Sequence, residues 1–269
     1  MRNIETFKRA LNEKRALKII SGINNIDLDR VKMVVSSAIE AGADAVDVSA
    51  NSRVLTMVKE MIESANSSIS LFASSINPTE LAEAVNVHHV DAIELGNFDA
   101  LYREGRNFSS MEVLSLVRET LSMIEENRSN VMFCVTIPGS ISINDQISLG
   151  RELESLNIDL IQTEGFVQNE SNLESTRTWL NRAELTLSNT IELSRNIELP
   201  IMTASNINTV TASMAFAAGA SAIGCGSCVN KLESQIQMLA VIKNLREISN
   251  RNMNMNMNMN MNRKESLAW

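Results

Sequence analysis

Eight short runs rich in Ile, Val and Leu, each followed by a stretch with helical spacing of its apolar residues, constrain this 269-residue chain more than any other feature. The runs are Leu17–Ser21, Ala45–Ser49, Ser70–Ser74 and Ala92–Leu95, then Val131–Thr136, Leu160–Glu164, Ile201–Ala204 and Ala222–Cys225. Helical patterns follow from Asp27 to Ala41, from about Ser52, near Pro78 and from about Ser110, and behind each of the later runs. At about 30 residues per unit, the series fills the chain to its last helix and matches the roughly 250 residues of a (β/α)8 barrel. Parallel strands covered on both faces explain why the runs are continuously apolar. The predicted fold is therefore a single α/β domain, a (β/α)8 TIM barrel over residues 1–250. A doubly wound parallel sheet is the alternative, since it uses the same units, but no Gly-rich turn follows the first run. Residues 251–269 hold a Met-Asn alternation and a charged end at Trp269. Such low complexity reads as a disordered tail.

Composition narrows the partners. At 44% hydrophobic and 21% charged the chain has the profile of a soluble globular protein. A net charge of -8 argues against a nucleic-acid surface, which needs clustered Lys and Arg. No apolar run has the length of a membrane span, and no leader is recognisable at the N-terminus. Three scattered cysteines point to a reducing compartment. The only histidines, His88 and His89, lie in the connection leading into the fourth run, on the barrel face opposite the active-site loops. No metal site is assigned.

Two strand ends carry the clearest ligand signal: Met202-Thr203-Ala204-Ser205-Asn206 and Ala222-Ile223-Gly224-Cys225-Gly226-Ser227. Side by side on the upper rim, Ser205, Asn206, Gly224, Gly226 and Ser227 would offer accessible backbone N–H groups beside a helix start, an arrangement that holds phosphate. Two loops longer than usual share that face. One spans Asn97 to Ser109 with Phe98, Tyr102, Arg103 and Arg106; the other spans Gly165 to about Arg182 with Trp179. Each is either a lid or a solvated insertion.

A side-chain period of two sends Asp47 and Ser49 into the barrel, and likewise Glu94, Gln162 and Glu164. Lys18 on the first strand is the one cation with a claim on that interior. Carboxylates crowded in a low-dielectric cavity acquire raised pKa values and suit proton transfer beside a carbonyl. Lys18, Asp47, Glu94 and Glu164 are accordingly the candidate catalytic set. Lys18 reads as an ion-pair partner deep in the barrel or as a Schiff-base amine. Cys225 and Cys228 form a C-x-x-C that either supplies a low-pKa thiol or merely flanks the phosphate rim. Cys134, in mid-strand, reads as core.

The segments Lys18-Ile19-Ile20-Ser21-Gly22, Glu94-Leu95-Gly96-Asn97-Phe98-Asp99, Val135-Thr136-Ile137-Pro138 and Ile161-Gln162-Thr163-Glu164-Gly165, taken in order from Phe7 to Ser249, resemble a conserved hypothetical open-reading-frame family of algal plastids and cyanobacteria. The resemblance implies a TIM barrel of unassigned activity in the plastid stroma or a cyanobacterial cytoplasm. The expected fold also resembles phosphate-binding barrels such as the histidine and tryptophan biosynthetic isomerases and thiazole synthase, whose rim after strands seven and eight is Gly-rich on both sides. Gly224, Gly226 and Ser227 match the eighth-strand side, and Ser205-Asn206 stand where glycines are usual on the seventh. Two functions stay open. One is an enzyme of isomerase, epimerase or lyase/synthase type acting on a small phosphorylated metabolite; the other is a noncatalytic sensor of such a metabolite, or of a flavin mononucleotide (FMN) cofactor.

Overall fold

A computed structural model describes residues 3–102, 105–165 and 175–266. Within the N-terminal half lie α1 (Ile4–Asn12), β1 (Ala16–Gly22), α2 (Leu28–Glu40), β2 (Ala45–Ser49), α3 (Ser52–Ser64), β3 (Ser70–Ser75), α4 (Pro78–Asn86), β4 (Ala92–Leu95), α5 (Asp99–Tyr102) and α6 (Ser110–Met123). A 3-10 turn at Glu125–Asn130 leads to β5 (Met132–Ile137), α7 (Ile143–Ser155), β6 (Leu160–Thr163), α8 (Thr176–Asn196), β7 (Ile201–Thr203), α9 (Ala212–Ala217), β8 (Ala222–Cys225), α10 (Ser227–Asn230) and α11 (Gln235–Ser266). All strands pair in parallel and in chain order, and β8 closes on β1, so the sheet is a (β/α)8 barrel. The doubly wound alternative is excluded by that closure.

Helix starts are fixed by short polar caps. Asp27, Asn51, Asn77, Ser109, Ser142 and Ser175 each accept a hydrogen bond from a first-turn N–H, and Pro78 takes the first helical position of α4. In βα units these caps lie just beyond the strand C-termini, which brings the chain turns of the upper rim together. Cap chemistry also shortens one expected loop: α8 begins at Thr176 because Ser175 Oγ accepts from Thr178 N–H at 3.2 Å, so Trp179 belongs to a helix. Residues 166–174 of that loop, and Arg103 of the other, lie outside the described residues. The Asn97–Ser109 loop contains α5 and is pinned by the buried Phe98 and Phe108, whose ring centroids are 4.3 Å apart.

The lumen is built in layers from side chains two residues apart. On the even strands the lowest layer is Ala45, Ala92, Leu160 and Ala222. Two residues above each stand Asp47, Glu94, Gln162 and Gly224, and two residues higher Ser49, Gly96, Glu164 and Gly226. Every even strand repeats one four-residue pattern: Asp44-Ala45-Val46-Asp47, Asp91-Ala92-Ile93-Glu94, Asp159-Leu160-Ile161-Gln162 and Ser221-Ala222-Ile223-Gly224. The leading carboxylates of the first three accept from the N–H groups of Leu17 at 2.8 Å, Leu71 at 2.9 Å and Phe133 at 2.8 Å, which ties each even strand to its odd neighbour.

The lower end is closed by α1, whose Phe7 meets Phe72 edge-on at 5.0 Å between centroids. The apolar spacing of Ile4, Phe7, Ala10 and Leu11 explains this helix. At the other terminus α11 is anchored by Arg246, which pairs with Asp44 and donates to the Arg15 carbonyl at 2.7 Å. The α11 backbone is helical through the Met-Asn alternation to Ser266. A helix already nucleated on a packed surface extends at little cost through Met, a good helix former. No helix among the described residues is long and apolar enough to cross a membrane.

Candidate active site

A cavity of about 390 Å3 opens at the C-terminal ends of β1, β6, β7 and β8 and beneath the β4 loop. One wall consists of Ser205, Asn206, Gly226 and Ser227, and Lys231 and Asn230 stand beside it; the other carries Glu164, Tyr102 and Asp99, with Asn97 and Gln162 also lining the space.

The phosphate-type wall departs from sequence expectation in an informative way. Ser205 and Asn206 have φ values of +66° and +60°, the left-handed region that glycine enters freely and other residues enter at a cost of about 1–2 kcal/mol each. They hold the backbone shape that glycines would give on this strand. Among the described residues, the N–H groups of Ser205, Asn206 and Gly226 are not engaged in hydrogen bonds. Gly226 leaves room for a side chain, since a Cβ there would touch Ile20 at an ordinary 3.5 Å. Gly224 occupies a different place from the one expected of it. It lies within β8 and faces the lumen one layer below the rim, where a Cβ would come within 3.0 Å of Ala204 and 3.3 Å of Gln162 Oε1.

The opposite wall centres on Glu164, one residue past β6. Its carboxylate accepts hydrogen bonds from the Tyr102 hydroxyl, from Asp99 N–H at 3.1 Å and from Gly139 N–H at 3.2 Å. Burial pushes the carboxyl up to about 8, and the Asp99 charge adds to the rise against the pull of those three donors. A carboxyl that exchanges its proton near neutrality in a cavity can serve as acid or base.

Lys18, Asp47 and Glu94 come together one level lower, as the period of two implied, but none of them lines the cavity. Lys18 is fully buried, pairs with Glu94, lies 3.5 Å from Asp47 and stacks 5.2 Å from the Phe72 ring centroid. Ser74 donates to Asp47, and Asn97 Nδ2 donates to the same carboxylate at 3.3 Å. Gln162 Nε2 contacts Glu94 at 2.7 Å, Thr136 at 3.1 Å and Asn97 Oδ1 at 3.2 Å. Asn97 and Gln162 thus join the buried ions to the cavity floor. Burial alone would lower the Lys18 pKa, but Glu94 and Asp47 more than offset it and hold the ammonium above its usual range. Asp47 rises to about 6, through burial and the Glu94 charge, with Lys18 opposing.

The remaining candidates stay outside this chemistry. The Cys225 thiol is raised well above its ordinary value by its hydrogen bond with Cys228 and by burial, the reverse of a low-pKa nucleophile. Cys134 faces the lumen, where burial and the Glu94 charge also raise it. His88 bonds Ser52 at 2.9 Å and takes no part in the cavity. Sequence reasoning missed Lys231 and Asn97. The first is set by the α10 turn, and the second by an αL backbone at φ +63° that follows Gly96.

The fold is shared widely. The 3-hexulose-6-phosphate synthase of Salmonella typhimurium superposes with a TM-score of 0.61 at 10% identity, covering 88% of this chain and 99% of that one. The (S)-3-O-geranylgeranylglyceryl phosphate synthase of Thermoplasma acidophilum, solved with sn-glycerol-1-phosphate, gives 0.60 at 11% identity, covering 91% and 97%. These likenesses establish the barrel alone. Sequence relatives are nearer. The uncharacterized protein ycf23 of Antithamnion sp. is 34% identical over 235 residues, 84% of this chain and 81% of that one. The ycf23 protein of Cyanophora paradoxa is 33% identical over 241 residues, covering 90% and 94%. A family model described as "Protein of unknown function (DUF561)" matches residues 1–255, and with these relatives it shows that the chain belongs to the DUF561 family, to which a closed (β/α)8 barrel can now be assigned for this member.

Proposed function

We propose that the chain is an enzyme acting on a small phosphorylated metabolite, with chemistry of the isomerase, epimerase or lyase/synthase type. Backbone N–H groups at Ser205, Asn206 and Gly226, together with the Ser227 hydroxyl, hold the phosphate, and the Lys231 ammonium faces it at the mouth. Glu164 carries the proton to and from a carbon beside a carbonyl. Lys18, Asp47 and Glu94 act as positioning residues, fixing Asn97 and Gln162 beneath the substrate. The observation that supports this reading most is the single cavity in which open N–H groups on strained backbone face a carboxyl with a pKa near neutrality. Barrels whose names specify phosphorylated compounds, such as the hexulose-6-phosphate synthase, lend support at the level of fold. Family membership favours a plastid location, as the resemblance implied.

Mass spectrometry of small molecules released from the purified chain tests the reading. A phosphate monoester should accompany the native chain and be absent from Gly226→Leu, whose thermal unfolding should match the native. Glu164→Gln should keep the ligand and lose its turnover. Absence of any phosphorylated ligand, by mass spectrometry and by direct calorimetry with phosphate esters, contradicts the proposal. Ligand retention with no turnover in the native chain favours the sensor.

A further inference from the structure

Helix α8 buries a face unlike that of α3. The latter turns Val54, Leu55, Val58 and Ile62 inward, and an apolar face of that kind is all that packing on a sheet requires. The buried residues of α8 are Ala183, Thr186, Asn189, Thr190 and Leu193, three of them polar and none more than 5% exposed. Polar groups taken out of water need partners, and these have them. Thr163 Oγ1 of β6 lies 3.0 Å from Thr186 Oγ1 and 3.1 Å from Thr190 Oγ1, and Thr203 Oγ1 of β7 lies 2.7 Å from Thr190 Oγ1.

Two of these side chains reach past the ladder to the walls of the cavity. A hydroxyl has one proton and a carbonyl can only accept, so the Thr186 proton goes to the Ala204 carbonyl at 2.7 Å. Asn189 Nδ2 donates to the Glu164 carbonyl at 3.2 Å. Each carbonyl lies one residue beyond its strand, at the start of a rim turn. The Ala204 carbonyl and the Ser205 N–H are the two ends of one trans peptide group and point in opposite directions. Holding the carbonyl against α8, on the outside of the barrel, therefore turns the Ser205 N–H toward the cavity that Ser205 lines. Ser205 Oγ is held in turn by the Gly165 carbonyl at 3.2 Å. At φ +66° the Ser205 backbone would relax toward an ordinary conformation if these restraints were absent.

We infer that Thr186 is a positioning residue for the phosphate rim: by holding the Ala204 carbonyl it aims the Ser205 N–H into the cavity and keeps Ser205 and Asn206 in the left-handed shape that receives the anion. This rests on the phosphate reading proposed above. Valine in place of Thr186 would fill the same space and leave the Ala204–Ser205 peptide group free to turn. Thr203 supplies the contrast, since it belongs to the same buried ladder but its hydroxyl meets Thr190 and no rim carbonyl.

Calorimetry on the full chain with inorganic phosphate and propyl phosphate, beside urea unfolding of each variant, separates positioning from mere stability. Thr186→Val should weaken both probes about tenfold, the loss of one oriented hydrogen bond. Thr186→Ser, which keeps the hydroxyl, should bind within about twofold of the native chain, and so should Thr203→Val even though it unfolds at lower urea. Native affinity in Thr186→Val overturns this inference and leaves the rim reading standing. An equal loss in Thr203→Val overturns it as well, because the ladder then acts through stability alone. Failure of both probes to bind the native chain overturns the rim reading and this inference with it. Should Thr186→Val not fold, amide NMR of the native chain decides: phosphate should move the Ser205 amide proton strongly downfield, and an unmoved Ser205 amide with phosphate bound overturns the inference.

Discussion

Tyr102 donates its phenolic hydroxyl to Glu164 across the mouth of the barrel, linking the β4 loop to the end of β6. Both groups are buried, and burial followed by the Glu164 charge holds the phenol above its usual pKa. Tyr102 therefore remains a donor wherever the protein is folded. Tyr102→Phe removes one of the influences that lower the Glu164 pKa, so that value should climb from near 8 by about one unit. Carboxyl-carbon NMR titration of native and Tyr102→Phe proteins measures it. A downward shift would contradict the arrangement.

Stability should fall as pH rises. Asp47 and Glu164 have folded-state values of about 6 and about 8, above their ordinary 3.8 and 4.5, so the folded chain binds more protons than the unfolded chain between these limits. Their favourable contribution is complete below about pH 4 and is lost as pH climbs through 6 and then 8. Urea unfolding at pH 5 and pH 8 should differ by a few kcal/mol, with the lower value at pH 8. Glu164→Gln should remove the upper part of that dependence.

Strain at the rim gives an unusual expectation for glycine. Elsewhere a substitution to glycine costs about 0.5–1 kcal/mol through unfolded-chain entropy. At Ser205, with φ at +66°, relief of left-handed strain offsets that cost, so Ser205→Gly should be neutral or stabilising by up to about 1 kcal/mol. Ser205→Val should lose about 2 kcal/mol or more. Chemical denaturation of the two variants checks the sign.

The buried ions should behave as one unit. Lys18→Met strands Glu94 and Asp47 without their cation and should cost about 3–5 kcal/mol. Adding Glu94→Gln should recover part of that loss, a coupling that a double-mutant cycle reads directly. Additive losses would mean that the pair does not interact.

Much of the barrel was legible because its signal is repeated. Eight apolar runs with helical segments between them admit few closures, and the period of two sent Asp47, Glu94 and Gln162 inward, where they are found. The depth of each residue was less legible. Asp47, Glu94 and Glu164 look alike along the chain, but only Glu164 meets the cavity, since Asn97 and Gln162 lie between it and the other two. Nothing in the letters Ser205-Asn206 signals a left-handed backbone as a glycine would. The shift of Gly224 from the rim to the lumen could have been read from the even-strand pattern, in which it holds the position of Asp47, Glu94 and Gln162.

Proton linkage tests most directly whether the rim and Glu164 form one ligand site. A dianion seated near Glu164 favours its protonated form, so binding of propyl phosphate at pH 8 should be accompanied by proton uptake. Calorimetry in two buffers of different ionisation enthalpy measures the protons taken up. The native chain should take up a substantial fraction of a proton, and Glu164→Gln should bind the ester with that uptake abolished. Equal uptake in the two proteins, or no binding to either, would contradict a shared site.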